Sequence, residues 1–89
     1  MVLKFSKHSY FSHLVISLSD AIYSIGGWKT RSVERFKPGS GWENMAPLIH
    51  PRAGAVGVAR GDKIFVSGGY GDTACLSSME VRTCVYNTM

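Results

Sequence analysis

Residues 20–28 read Asp-Ala-Ile-Tyr-Ser-Ile-Gly-Gly-Trp, and residues 62–70 read Asp-Lys-Ile-Phe-Val-Ser-Gly-Gly-Tyr, 42 positions later. Asp20, Ile22, Gly26 and Gly27 recur as Asp62, Ile64, Gly68 and Gly69. The aromatics Tyr23 and Trp28 recur as Phe65 and Tyr70. A fixed period of this length marks a repeat architecture. One such unit cannot bury its own apolar face, so units of this kind stack on one another. Working outward, Leu14 aligns with Val56, Ile16 with Val58 and His8 with His50. The first unit is expected to run from about His8 to Leu48 (8–48) and the second from about His50 to the end (50–89).

Within each unit the signals are for strands. Leu14 to Leu18 alternates apolar and small residues before a Ser19-Asp20 turn. Ala21 to Ile25 carries good strand formers and ends at the glycine pair. Ser32 to Phe36 and Trp42 to Met45 read as third and fourth strands, with Lys37-Pro38-Gly39-Ser40-Gly41 as the turn between them. The second unit repeats this with strands over Ala55–Ala59, Ile64–Ser67 and Ser77–Val81, the first two joined by a Gly61-Asp62 turn. Six residues separate Gly27 from Glu34 and ten separate Gly69 from Glu80, so four extra residues are placed in a loop, where insertions cost little. No apolar period of 3.6 is sustained, and no helix is expected.

Four short antiparallel strands in about 42 residues is the pattern of a β-propeller blade. Neither Gly-His nor Trp-Asp occurs, which excludes the tryptophan–aspartate type. The chain instead resembles kelch repeats over about residues 8–82. It has Gly26-Gly27, then Glu34-Arg35-Phe36, Pro38 and Trp42, then Pro51-Arg52 opening the next unit, Gly68-Gly69 and Glu80. The resemblance implies an all-β fold of antiparallel four-stranded kelch blades, here an incomplete β-propeller. Glycines at strand ends allow close backbone approach. Phe36 and Trp42 are expected to fill space between adjacent blades.

The departures are informative. Ser9-Tyr10 stands where the second unit has Pro51-Arg52, and Lys37 replaces the usual aspartate. Arg82 takes the place of an aromatic, no tryptophan follows it, and Thr83 to Met89 does not resemble a fourth strand. The second blade is expected to be incomplete. Propellers hold about four to eight blades, and this chain holds fewer than two. A fragment, a shortened isoform or a partial gene model is expected, with exposed strand edges and a tendency to self-associate.

Composition is that of an ordinary globular chain: 89 residues, 45% hydrophobic, 18% charged, net charge +4. A compact domain of this length buries only about 60–65% of the surface its unfolded chain exposes. The ten Lys and Arg residues are scattered from Lys4 to Arg82, with no basic stripe for nucleic acid. The apolar run Leu14–Leu18 is too short for a signal peptide, and nothing approaches a membrane span. Cys75 and Cys84 are read as reduced thiols of a cytoplasmic protein.

No catalytic constellation stands out, and the chain is not expected to be an enzyme. His8, His13 and His50 lack metal-ligand spacing. Ser6, Ser9 and Ser12 are not in a Gly-x-Ser-x-Gly context. Gly39-Ser40-Gly41 lacks the lysine and helix of a phosphate loop. Neither cofactor nor metal is expected, and the ligands of the kelch-type copper oxidases cannot be located. Protein recognition is the expected role. In the kelch family contacts come from the loop after the glycine pair and from the turn entering the first strand. On this chain those positions are Trp28, Lys29, Thr30 and Arg31, then Ala53, Tyr70, Gly71, Asp72 and Thr73. Trp, Tyr and Arg are enriched in binding hot spots, and Lys29 with Arg31 would favour an acidic peptide. Alternatively, Trp28 and Tyr70 pack onto the blade beneath. The resemblance implies the substrate-binding propeller of a kelch-like adaptor for a cullin-RING ubiquitin ligase. The cullin scaffold would be reached through a BTB domain that residues 1–89 do not contain. An actin-binding kelch protein is the alternative.

Overall fold

A computed structural model describes residues 12–83. The expectations resting on Ser6, His8, Ser9, Tyr10, Cys84 and the end of the chain lie outside the described residues.

The protein is all-β. Sheet 1 is an antiparallel meander of β1 (Leu14–Leu18), β2 (Ala21–Ile25), β3 (Val33–Lys37) and β4 (Gly41–Met45). Sheet 2 is a meander of β5 (Val56–Arg60), β6 (Lys63–Ser67) and β7 (Met79–Thr83). No helix occurs among the described residues. The third strand of each sheet starts later than its sequence suggested. β3 begins one residue on, because the Ser32 amide is held by Thr30 Oγ1 at 3.1 Å. β7 begins two residues beyond Ser77, because the loop before it is pinned by the Leu76 amide on the Gly69 carbonyl at 2.8 Å.

The two sheets share one register. Leu14 faces Ile25 and Ile16 faces Tyr23 in sheet 1. Val56 faces Ser67 and Val58 faces Phe65 in sheet 2, each 42 residues on. Ser24 faces Glu34 as Val66 faces Glu80. Just beyond the ladders, the Gly26 amide donates to Ser32 at 2.8 Å and the Gly68 amide donates to Ser78 at 3.1 Å. The insertion lies in the β6–β7 loop.

Strand alternation then decides which side of each sheet is buried. Ala21, Tyr23, Ile25 and Val33 of sheet 1 form a core with Ile64 and Val66 of sheet 2 and with Leu48 of the connecting segment. Of the strands in different sheets, only β1 and β5 bring their Cα atoms within 8 Å in more than isolated places. Gly57 permits that approach: a Cβ there would stand 2.6 Å from Leu14 Cδ2 and 3.1 Å from the Phe65 carbonyl. Farther out, a cavity of about 60 Å³ separates Tyr23, Val33 and Met45 from Ile64 and Arg82.

Phe36 and Trp42 are cross-strand partners with ring centroids 5.3 Å apart. They lie on the side of sheet 1 opposite Tyr23, away from sheet 2. The outer side of sheet 2 is apolar and bare. Val56 is 67% exposed and Val58 59%, and Met79 and Val81 beside them are also exposed. These positions correspond to Leu14, Ile16, Val33 and Arg35 on the side of sheet 1 that sheet 2 covers.

A buried ion pair fixes the connecting segment to sheet 2. Arg52 is fully buried and donates through Nε to Glu80 at 3.0 Å. Its Nη1 donates to the carbonyls of Gly68 at 2.8 Å and Ser78 at 2.9 Å, and its Nη2 to Ser78 Oγ at 2.7 Å. Glu80 also accepts from the amides of Ile49 and His50. Arg82, where an aromatic is expected from the pattern, reaches the Pro47 carbonyl and Glu80.

Candidate functional site

Residues 52 and 53 run between the two diglycine loops and pair with both. Gly27 bridges to Arg52 on one side, and Ala53 bridges to Tyr70 on the other. The Gly27 amide donates to Arg52 at 3.1 Å, and Ala53 and Tyr70 exchange amide–carbonyl bonds of 3.0 and 2.8 Å. Only glycine tolerates this approach. Gly26 has φ +65° and a virtual Cβ 3.0 Å from the Arg52 carbonyl; Gly69 has φ +88° and one 2.9 Å from the Ala53 carbonyl.

The shared pairing brings the residues after each glycine pair together. Trp28 and Tyr70 stack with centroids 5.6 Å apart and planes 14° off parallel. Trp28 therefore rests on Tyr70, remains 46% exposed, and presents an aromatic ledge at one end of the molecule. Lys29 takes a left-handed φ of +60° that places its Nζ 5.6 Å from the Trp28 ring centroid. A non-glycine residue there is strained by roughly 1–2 kcal/mol, and the cation–π contact returns about 0.5–1 kcal/mol at an exposed position.

The remaining expected contact residues frame this ledge. Thr30 closes a turn, its amide on the Gly27 carbonyl at 3.5 Å and its hydroxyl on the Ser32 amide. Arg31 is exposed on the same loop, its carbonyl held by the Leu48 amide at 2.8 Å. Gly71 is buried and donates to Ala74 at 2.8 Å, and Asp72 and Thr73 are exposed at the tip of that turn. Trp28 thus touches both Lys29 and Tyr70, and Tyr70 pairs with Ala53, while Arg31 and Asp72–Thr73 lie on the two loops that follow the glycine pairs. Cationic Lys29 and Arg31 set the charge of one rim and Asp72 that of the other.

Among the described residues, no group of three or more His, Cys, Asp or Glu side chains could hold a metal ion. His50 lies exposed in the β4–β5 connection, where its amide rather than its ring is engaged. Cys75 is an exposed free thiol beside Tyr70, to which its backbone is bridged. No helix among the described residues is long and apolar enough to cross a membrane.

Sequence reasoning missed the pairing of Arg52 with Glu80 and the burial of Leu48. Arg52 and Glu80 were both legible as motif residues of opposite charge, and a charge that is buried must be paired. That was the available signal. No protein-family model and no curated protein sequence matches the chain.

Proposed function

We propose that this chain is a non-catalytic protein-recognition module, part of a kelch-type β-propeller whose loop end binds a peptide bearing acidic side chains. The observation that carries the reading is the Trp28–Tyr70 stack with Lys29 against it. A half-exposed aromatic ledge with a cation against it, held by backbone pairing rather than by loose loops, is the kind of anchor that dominates binding energy at interfaces. The propeller reading draws support from the two sheets approaching most closely along β1 and β5, and from the apolar side of sheet 2 that corresponds to a covered side of sheet 1. A third sheet of the same kind would cover it. By the same resemblance the module would serve a kelch-like adaptor in the cytoplasm, presenting a substrate for ubiquitination through a cullin scaffold bound elsewhere in the assembly.

The test is calorimetric titration of the chain with a ten-residue peptide alternating Glu with Phe and Gly, against a Lys-for-Glu counterpart. Binding of the acidic peptide alone, lost in Lys29→Glu/Arg31→Glu and in Trp28→Ala, supports the proposal. Equal binding of both peptides, or unchanged affinity in those variants, removes it.

A further inference from the structure

We infer that Ser78 is a phosphoacceptor whose phosphate is captured by Arg52, so that phosphorylation there weakens the hold of Glu80 on the segment joining the sheets. The inference goes beyond the recognition role above and does not rest on it. It follows from how the buried Arg52 guanidinium divides its donors. Nη1 donates to two carbonyls, those of Gly68 and Ser78. Nε and Nη2 form the edge of the fork that grips a carboxylate or a phosphate through two parallel bonds. Here that edge is shared. Glu80 Oε2 accepts from Nε at 3.0 Å, and Ser78 Oγ accepts from Nη2 at 2.7 Å. One half of a phosphate-binding edge is thus occupied by a neutral hydroxyl.

Ser78 is also the solvent end of this buried pair. Arg52 and Glu80 are both buried, whereas Ser78 is an exposed residue at the end of the β6–β7 loop, one position before β7. Asp72 to Cys75 and Ser77 ahead of it are exposed as well. A kinase therefore meets an accessible hydroxyl on a loop, and the group it adds lands within reach of a guanidinium already in place. In the transfer the Ser78 hydroxyl oxygen bonds to the γ-phosphorus of ATP. The bond from that phosphorus to the ADP oxygen breaks, and the hydroxyl proton passes to a base of the kinase. The product carries about −1.5 to −2 charge at pH 7 and three strong acceptor oxygens. It takes the shared edge of Arg52 in preference to a singly charged carboxylate. Glu80, two residues on, is left as a buried carboxylate without that guanidinium and beside a like charge. Its grip on the Ile49 and His50 amides weakens accordingly. Ser77 is the internal comparison, since it is equally exposed but receives no hydrogen bond from Arg52.

The acceptor is tested by incubating the chain with labelled ATP and the kinases of a cell extract, with sites mapped by tandem mass spectrometry. Phosphate at Ser78, absent from Ser78→Ala, is expected; no phosphate at Ser78 overturns the inference. Capture is tested on chains made with phosphoserine at position 78 and, for comparison, at position 77. The phosphorus resonance at position 78 should titrate with a midpoint near 5, roughly one unit below the ordinary value of about 6 expected at position 77. Amide exchange at Ile49 and His50 should be about tenfold faster with phosphate at 78 than at 77. Equal midpoints at the two positions, or equal exchange at Ile49 and His50, contradict capture by Arg52.

Discussion

Replacing Glu80 with alanine is the most informative perturbation of this fold. Its carboxylate accepts from the Ile49 amide at 2.7 Å, the His50 amide at 3.2 Å, Arg52 Nε at 3.0 Å and Arg82 Nη2 at 3.3 Å. Three of those four donors belong to the segment that joins the sheets, and one of the three, Arg52, is a guanidinium with no exposed surface. Removing one partner of a buried pair leaves an uncompensated charge, at about 3–5 kcal/mol. Total stability at roughly 0.05–0.15 kcal/mol per residue gives about 4–13 kcal/mol for a chain of 89 residues. The loss is therefore comparable with the whole. Tm should fall by about 12–40 °C, at roughly 4–8 °C per kcal/mol for a domain of this size. Urea unfolding followed by far-ultraviolet circular dichroism measures the free-energy loss, and a thermal scan with the same signal measures the fall in Tm. Glu43→Ala is the control, since the Arg35–Glu43 pair is largely exposed on the Glu43 side, and such pairs contribute about 0–1 kcal/mol. A Glu80→Ala loss no larger than that of Glu43→Ala would refute the claim that this pair fixes the connection between the sheets.

Other outcomes follow from the same geometry. Gly69→Ala should cost about 2–4 kcal/mol, because its φ of +88° and the Ala53 carbonyl both oppose a Cβ; denaturation measures it. Lys29→Gly relieves a left-handed backbone and should leave stability unchanged or raise it by about 1 kcal/mol, while weakening the acidic peptide in the titration above. Burial pushes the Glu80 carboxyl up, but the Ile49 amide, the Arg52 guanidinium and the His50 amide together hold it below its ordinary 4.5. With the folded value depressed, this contribution is complete above that ordinary value and is lost as pH falls through the folded one. Urea midpoints between pH 7 and pH 3 should drop accordingly, and less steeply in Glu80→Gln. Ile64→Ala should cost about 2–5 kcal/mol, whereas Val58→Thr on the bare side should cost less than about 0.5 kcal/mol and reduce light-scattering signs of self-association.

The repeat made the fold legible. The recurrence of Asp-x-Ile-aromatic-x-x-Gly-Gly located two meanders, and β1 and β2 fall at the expected residues because alternation and the Ser19-Asp20 turn determine both ends. The starts of β3 and β7 were less legible, since Thr30 and Leu76 hold the chain in loops through bonds that have no periodic signature. The contact residues were read as positions on loops, and the stacking of Trp28 on Tyr70 was not foreseen. It depends on residues 52 and 53 pairing with both loops at once, a relation between segments 25 and 17 residues apart. Arg52 and Glu80, 28 residues apart, were seen as motif positions, but not as partners. Arg82 was read as a missing aromatic, whereas its long polar side chain reaches the connecting segment instead.

Nuclear Overhauser spectroscopy of the methyl- and aromatic-labelled chain tests most directly whether two like sheets pack in one direction here. Cross-peaks should join the Leu14 methyls to the Gly57 α-protons and the Trp28 ring to the Tyr70 ring, with Val56 and Val58 methyls showing none to sheet 1. Cross-peaks from Val56 and Val58 to Leu14 or Ile16, or helical chemical shifts at Ile22 and Ile64, would contradict it.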